Sequence, residues 1–245
     1  MNVVAELTLE ALTAAAHKDL PNYSKLLRSA FTDHPPAFSQ KWYGDRYRQY
    51  AVDPLWLGQS LIDNSLKEGE GANKLWKLAG SAEDHIAEAV RVHAVDEARH
   101  ARLYLGMLKK TFPDGVDEDD MKVLYKSAPQ FTIKDSPVRG PALSQLTVVD
   151  HLIQMNVGEI RTRVHQLLLM PVIQVHCPQE KRTYLQGILG SILADETKHI
   201  LYTAEIIETA TNDMGAVVQD LLYQRLQEFN QITLDEVGLK SFDDE

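Results

Sequence analysis

The strongest constraint on this chain is a short motif that occurs twice. Residues 96–100 read Asp-Glu-Ala-Arg-His, and residues 195–199 read Asp-Glu-Thr-Lys-His. On a helix, a Glu and a His three residues apart share one face, so both side chains can bind one ion. A carboxylate beside an imidazole suits iron, manganese or zinc. Two such matches among nine histidines are rare by chance, so the motifs indicate a metal site. The two ligand pairs are Glu97 with His100 and Glu196 with His199.

The alternative is that the motifs are two exposed, charged helix turns. Both lie within strongly apolar helical patterns, however, and this setting favours the metal site. Around the first motif, an apolar stripe contains Ile86, Val90, Ala94, Ala101 and Leu108. An unpaired carboxylate on such a stripe would be costly to bury, and a bound metal would remove that cost.

Composition excludes several classes of function. The net charge of −10 disfavours nucleic acid and anionic membranes as partners. Cys177 is the single cysteine, which excludes an intrachain disulfide and any Cys-x-x-Cys site. The first twenty residues lack the features of a signal peptide, and no apolar run approaches the length of a membrane span. We therefore expect a soluble cytoplasmic protein.

The spacing of apolar residues, together with residues that start and stop helices, predicts an all-α chain. Asp53-Pro54 begins a helix that Gly80 ends, and Ser81 with Asp84 forms a capping box for the next helix. Proline residues 21, 35 and 36 interrupt the N-terminal region. The aromatic segment at 42–56 is expected to pack on the bundle as a cap, and the alternative is that it forms an aromatic binding platform. Pro171 stops one helix, and Pro178 starts another. The predicted helices cover residues 5–17, 54–79, 82–108, 117–126, 142–170, 178–207 and 214–232.

The order of these helices predicts a particular architecture. Two long helices, a crossover of about thirty residues and two more long helices form a four-helix bundle with one long connection, the ferritin-like arrangement. We expect a single domain over residues 1–245. Its bundle core covers 54–210, the N-terminal aromatic cap covers 1–53, and a C-terminal helix and tail cover 211–245, with a disordered end at 241–245.

In such a bundle, each Glu-x-x-His helix faces a helix that contributes one more Glu. Glu159 is the only Glu between residues 119 and 179, and it continues an apolar stripe with Val148, Leu152 and Met155. Its alternative is a surface Glu paired with Arg161 or Arg163.

On the first long helix, Asp63, Glu68 and Glu70 are the candidates. Helical phase selects Glu68, which shares a face with Leu61, Ser65, Ala72, Leu75 and Ala79. Gly69 and Gly71 suggest a local distortion or a close helix contact, either of which could change this choice.

The full set of Glu68, Glu97, His100, Glu159, Glu196 and His199 resembles that of the ferritin-like di-iron carboxylate superfamily over about residues 54–210. The Asp and the basic residue in each motif make it more similar to the oxygenase, desaturase and ribonucleotide-reductase-small-subunit branch than to ferritin or rubrerythrin. The resemblance implies two iron ions, with manganese as an alternative, and O₂ as co-substrate. It also implies that Asp96 holds His199, that Asp195 holds His100 and that Arg99 bridges the two Asp residues. Lys198 departs from the usual Arg.

The chain departs from the pattern of this superfamily at two places that bear on function. His93 lies one turn before Glu97, whereas the p-aminobenzoate N-oxygenase family adds its third His before the second motif, where this chain has Ile192. His93 is either an extra ligand or a pocket histidine. The polar side chains Thr162, Arg163 and Gln166 continue the Glu159 stripe, and Tyr104 follows His100 by one turn. The three polar groups either line a polar pocket or mark where the helix leaves the core. Tyr104 either faces the same cavity or packs in the core.

By this resemblance, we expect a non-haem di-iron oxygenase of the monooxygenase type. It would use O₂ to hydroxylate, N-oxygenate or similarly oxidise a small organic substrate, with electrons from a donor protein or molecule. A homodimer is compatible with this function. The alternatives are a ferroxidase or iron-handling protein without an organic substrate, and an interaction module with a structural metal.

Overall fold

The computed structural model of the chain describes residues 2–16 and 19–236. This part is all-helical and contains no β-strand, which confirms the predicted fold class. Two short 3₁₀ turns, Ala37–Ser39 and Gln179–Lys181, accompany the α-helices. The α-helices are α1 (Val3–Ala16), α2 (Pro21–Asp33), α3 (Lys41–Ala51), α4 (Pro54–Ala79), α5 (Asp84–Thr111), α6 (Glu118–Ser127), α7 (Gln145–His176) and α8 (Arg182–Glu236). Within the described residues, none of these helices has both the length and the apolar character needed to cross a membrane.

The chain falls into two compact units, each made of separate stretches of sequence. Unit 1 comprises Met1–Tyr50, Gln145–Leu168 and Leu193–Glu245, and unit 2 comprises Ala51–Ser144 and Leu169–Ile192. Helices α7 and α8 therefore contribute residues to both units. The single domain and the four-helix arrangement stay predictions, and the end of the tail at 241–245 lies outside the described residues.

Helix α4 begins and ends as the sequence predicts. The Asp53 side chain accepts a hydrogen bond of 2.9 Å from the Leu55 N–H, and Pro54 occupies the first helical position, where it lacks only an N–H that would have no partner in the helix. Gly80 follows the last residue with right-handed angles, φ −70° and ψ −14°. A Cβ there would collide with the Val138 carbonyl oxygen, so close approach rather than backbone freedom requires glycine.

Helix α5 begins later than predicted. Its N-cap is Glu83, which makes no side-chain cap hydrogen bond, so the predicted capping box of Ser81 and Asp84 is wrong. Ser81 lies in the preceding turn, and its carbonyl oxygen accepts a 3.1 Å hydrogen bond from the Leu143 N–H instead. The backbone of Ser81 is thus hydrogen-bonded to the long connection.

Unit 2 is built around the packing of α4 against α5. The Ser65 hydroxyl donates to the Ala101 carbonyl oxygen at 2.7 Å between the two helices. Beyond this contact, the unit has a continuous apolar core to which α6 and the adjoining parts of α7 and α8 contribute. Its buried members are Leu57, Leu61, Tyr104, Leu105, Met107, Leu108, Met121, Leu169, Ile173, Cys177, Leu185, Ile188, Leu189 and Ile192.

The prolines differ in their effect on the helices. Pro21 follows α1 and opens α2, where a first-turn proline lacks only an N–H that has no partner in the helix. The predicted stop at Pro171 is wrong. Pro171 lies inside α7, which continues to His176. Its ring is exposed, while Ile173 and Cys177 beyond it are buried in the core, and His176 Nε2 lies 2.9 Å from the Ala51 carbonyl oxygen. Tertiary packing of these residues outweighs the missing helical hydrogen bond.

The last two predicted helices meet at a kink within α8. Pro178 precedes the 3₁₀ turn, and α8 then runs from Arg182 to Glu236 with a break at Met214, where φ is −142° and ψ is 44°. The predicted start of a new helix at Met214 therefore coincides with a kink.

Buried polar contacts connect the helices of unit 1. The Tyr23 hydroxyl donates to Asn156 Oδ1 at 2.9 Å, and Asn156 Nδ2 donates to Thr203 Oγ1 at 2.9 Å. These bonds link α2, α7 and α8. Within the predicted aromatic cap, Tyr43 and Tyr47 of α3 are buried and pack against His165 of α7. This burial supports core packing as the role of the two tyrosines, and not an exposed binding platform.

Removal of the α4 cap should measurably destabilise the protein. Asp53→Ala leaves the Leu55 N–H without its side-chain acceptor and should lower the free energy of unfolding by about 1 kcal/mol. Urea denaturation followed by circular dichroism measures this change. Glu70→Ala, at an exposed position of the same helix, is the control and should change stability by less than about 0.5 kcal/mol. Equal losses in both variants would mean that the cap contributes nothing.

Candidate metal centre

Unit 2 buries the first Glu-x-x-His pair together with a Glu from the neighbouring helix. Glu97 and His100 come from α5 and Glu68 from α4, and all three are buried. His100 Nδ1 lies 3.4 Å from Glu97 Oε1 and 3.9 Å from Glu68 Oε2. One potential ligand atom from each of the three residues falls within 4.8 Å of the others. Such a set of two carboxylates and an imidazole could hold a metal ion.

The choice among the acidic residues of α4 follows from its helical phase. Glu68 is buried with Leu61, Ser65, Ala72 and Leu75, whereas Asp63 and Glu70 are exposed. The helix is regular through Gly69 and Gly71, so the glycines do not shift the phase. The role of Glu68 as a ligand stays a prediction, but of the three candidates it alone is buried.

The two glycines allow close contacts on either side of Glu68. A Cβ at residue 71 would lie 3.3 Å from Glu97 Oε2, and a Cβ at residue 69 would lie 3.1 Å from Cδ of Pro129. Gly71 thus leaves space for the carboxylate of Glu97, and Gly69 lets the long connection approach α4. The two glycines therefore mark close contacts between α4 and its neighbours and not a distortion of the helix.

Unit 1 buries a second set of the same composition. Glu196 and His199 come from α8, and Glu159 comes from α7. His199 Nδ1 lies 3.5 Å from Glu196 Oε2 and 3.9 Å from Glu159 Oε2. Arg161, which the sequence offered as an alternative partner for Glu159, forms an ion pair with Glu236. Each unit therefore contains a buried Glu-x-x-His pair and one further buried Glu.

Electrostatics hold Glu97 in the form that binds metals. Burial raises the pKa of this carboxyl, but contacts with His100, His93 and Glu68 outweigh that effect and bring its pKa well below the ordinary value. Glu97 is consequently a carboxylate at neutral pH. A metal ion would replace part of the positive charge that the imidazoles supply.

Each basic residue of the two motifs pairs with the Asp of its own motif. Arg99 Nη2 lies 3.3 Å from Asp96 Oδ1, and Lys198 Nζ lies 2.8 Å from Asp195 Oδ1. Arg99 Nη2 also lies 3.2 Å from His100 Nε2. The predicted roles of Asp96 towards His199 and of Asp195 towards His100, and the bridging role of Arg99, stay predictions.

The remaining residues that were predicted to lie near the metals differ from one another in burial and in contacts. Tyr104 is buried within the apolar core of unit 2. On α7, Thr162 and Arg163 are half-buried, and Gln166 is fully buried. Burial lowers the pKa of the Arg163 guanidinium, and its Nε has no hydrogen-bond partner among the described residues. His93 is buried, with Nε2 at 3.6 Å from Glu97 Oε1.

Sequence reasoning missed a buried charged cluster in unit 1. The Tyr43 hydroxyl contacts His165 Nε2 and donates to Glu236 Oε2 at 3.1 Å, and the guanidinium of Arg161 donates to the same carboxylate oxygen. Arg161 Nε also donates to Thr233 Oγ1 at 3.1 Å. The one available signal was that Arg161 and His165 share a helix face. Their partners lie far away in sequence, so only the folded chain identifies them.

Comparison with known proteins gives no assignment, because no protein family, no curated protein and no solved structure matches the chain. The chemistry of the buried Glu and His groups is therefore the basis on which a function can be argued. Carboxylate oxygens and imidazole nitrogens are ligands shared by iron, manganese and zinc. These groups could hold a metal ion, and they do not specify which.

The ligand on α4 can be tested with a matched pair of variants. Glu68→Ala removes a buried carboxylate next to His100 and should weaken Co(II) binding at least about tenfold. Glu70→Ala removes an exposed carboxylate of the same helix. It should leave the affinity for Co(II) within about twofold, because Glu70 contributes only a surface charge that solvent screens. Equilibrium dialysis with elemental analysis measures both. The reverse result would show that Glu70 is the ligand.

Proposed function

We propose that this chain is a non-haem di-iron oxygenase that uses O₂ to oxidise a small organic substrate. One observation carries the proposal: each unit buries a Glu-x-x-His pair with one additional Glu, and each set is surrounded by apolar helix faces. Charged groups are seldom buried this way without a partner that compensates for lost hydration. Metal ions are the partners that suit a set of carboxylates and imidazoles.

By its resemblance to the di-iron carboxylate superfamily, the chain would bind two ions with six ligands, Glu68, Glu97, His100, Glu159, Glu196 and His199. The four carboxylates carry four negative charges, which two divalent ions would balance. This proposal includes the ferritin-like bundle that the sequence predicts.

The chain itself would supply orientation and exclusion of water. Iron in such a centre supplies the electron transfer to O₂ that amino-acid side chains cannot perform. Burial of all six ligands keeps bulk water away from them. The low pKa of Glu97 keeps one ligand ionised at neutral pH. The absence of a side chain at Gly71 leaves room for that carboxylate, whose Oε2 would lie 3.3 Å from a Cβ at this position.

Polar groups on α7 support an organic substrate over iron storage. Thr162, Arg163 and Gln166 lie one to two turns beyond Glu159 on the same helix face. Arg163 is half-buried, and its Nε has no hydrogen-bond partner within the described part of the chain. Its planar guanidinium suits a carboxylate bound through two oxygens. A small carboxylic acid is therefore the substrate class that we propose, with an electron donor as the second partner.

The number of bound ions tests the centre directly. Wild-type protein reconstituted anaerobically with Fe(II) should bind two ions per chain. Glu97→Ala combined with Glu196→Ala removes one carboxylate from each set and should reduce binding to near zero. Elemental analysis after gel filtration measures the ratio, and Glu70→Ala serves as the control. Unchanged binding in the double variant would contradict the site.

The reaction with O₂ separates an oxygenase from a ferroxidase. On addition of O₂, the iron of an oxygenase should stay bound, and the resulting absorption should decay faster with a small carboxylic acid than with the matching primary amide. Arg163→Gln should abolish that acceleration without slowing formation of the absorption, because Arg163 binds the acid rather than the iron. Stopped-flow spectroscopy follows both steps. Continued conversion of excess Fe(II) into a ferric mineral would favour the ferroxidase.

A further inference from the structure

We propose that His93 is a seventh metal ligand, which binds the second of the two ions that share Glu97. This inference rests on the proposed di-iron function. It adds a residue outside the two Glu-x-x-His motifs, and it makes the two ions unequal.

The position of His93 fits a ligand rather than a core side chain. Its ring is 1 % exposed and lies on the face of α5 that contains Glu97 and His100. The residues are spaced i, i+4 and i+7, so they form one stripe. His93 Nε2 and His100 Nδ1 lie 3.6 Å and 3.4 Å from the same oxygen, Oε1 of Glu97. Both imidazole nitrogens therefore point towards one carboxylate.

These distances suit an ion between the groups. A hydrogen bond between nitrogen and oxygen has a length of roughly 2.7–3.2 Å. Two ligand atoms that each lie about 2.1 Å from one ion are typically about 3 Å or more apart. The contacts of His93 and His100 with Glu97 both exceed the usual hydrogen-bond length, so small movements of these side chains would admit an ion in place of a direct bond.

The two histidines approach Glu97 from opposite directions along the helix. They are seven residues apart, which corresponds to about 10.5 Å of helix rise. His100 is grouped with Glu68, whereas His93 lies on the N-terminal side of Glu97. In two-metal sites the ions lie about 3.5–4 Å apart. Glu97 would thus help to hold both an ion bound by His100 and an ion bound by His93.

This arrangement has a consequence for reactivity. The extra imidazole occupies one coordination position on its ion and adds no charge. The two ions would therefore have different ligand sets, and the ion held with His93 would offer fewer positions to other molecules.

The test uses Co(II) as the probe in the full chain. His93→Ala should lower the affinity for one of two Co(II) ions at least about tenfold, while the other ion binds as before. Added imidazole should restore both the affinity and the visible absorption of the lost ion, since it supplies the missing nitrogen. His85→Ala removes an exposed histidine of the same helix and should change neither measurement.

A second measurement requires no variant. In the Co(II)-loaded wild-type protein, each ligating histidine should give one paramagnetically shifted, exchangeable imidazole N–H signal in the proton NMR spectrum. Three signals are expected, from His93, His100 and His199. Two signals, or a His93→Ala variant with unchanged Co(II) affinity and absorption, would overturn the role of His93 and leave the di-metal site intact. Absence of Co(II) binding by the wild-type protein would overturn the proposed function itself.

Discussion

The burial of glutamate side chains inside helical cores is the constraint on which the structure depends. Glu68, Glu97, Glu159 and Glu196 are all buried, and each loses hydration that an exposed carboxylate would keep. A His three residues after the Glu partly compensates in α5 and in α8, because its imidazole nitrogen lies 3.4–3.5 Å from a carboxylate oxygen. A bound metal ion would compensate more completely. Stability and metal binding would then be coupled, since ligands that are buried before the ion arrives gain from its binding.

Different contacts link the helices around these groups in the two units. Unit 2 has an apolar core, with Ser65 linking α4 to α5 at the level just before Glu68. Unit 1 has buried polar clusters, in which Asn156 and the ion pair of Arg161 with Glu236 connect distant segments. A metal site would need such links, since its ligand geometry must persist without the ion.

The function proposed here follows from the ligands and the groups beside them, not from the fold. Helical bundles serve many purposes, so an all-α architecture alone would not distinguish an oxygenase from an iron-storage or interaction protein. The distinguishing groups are Arg163 on α7, which is half-buried and suited to an anion, and His93, which would make the two ions unequal. Neither feature is needed for iron storage, and both are useful when one substrate must be oriented at one ion.

The sequence alone determined those features that depend on residues close together in the chain. The cap at Asp53, the helix α6 and the burial of Glu68 rather than Glu70 follow from local hydrogen bonding and from the 3.6-residue period. Tertiary structure decided the rest. Pro171 remained in a helix because residues beyond it are buried, and α5 begins after Glu83 while the Ser81 carbonyl oxygen accepts a hydrogen bond from the long connection. The contacts of Tyr43 with His165 and Glu236 also required the folded chain, because no local rule relates residues so far apart in sequence.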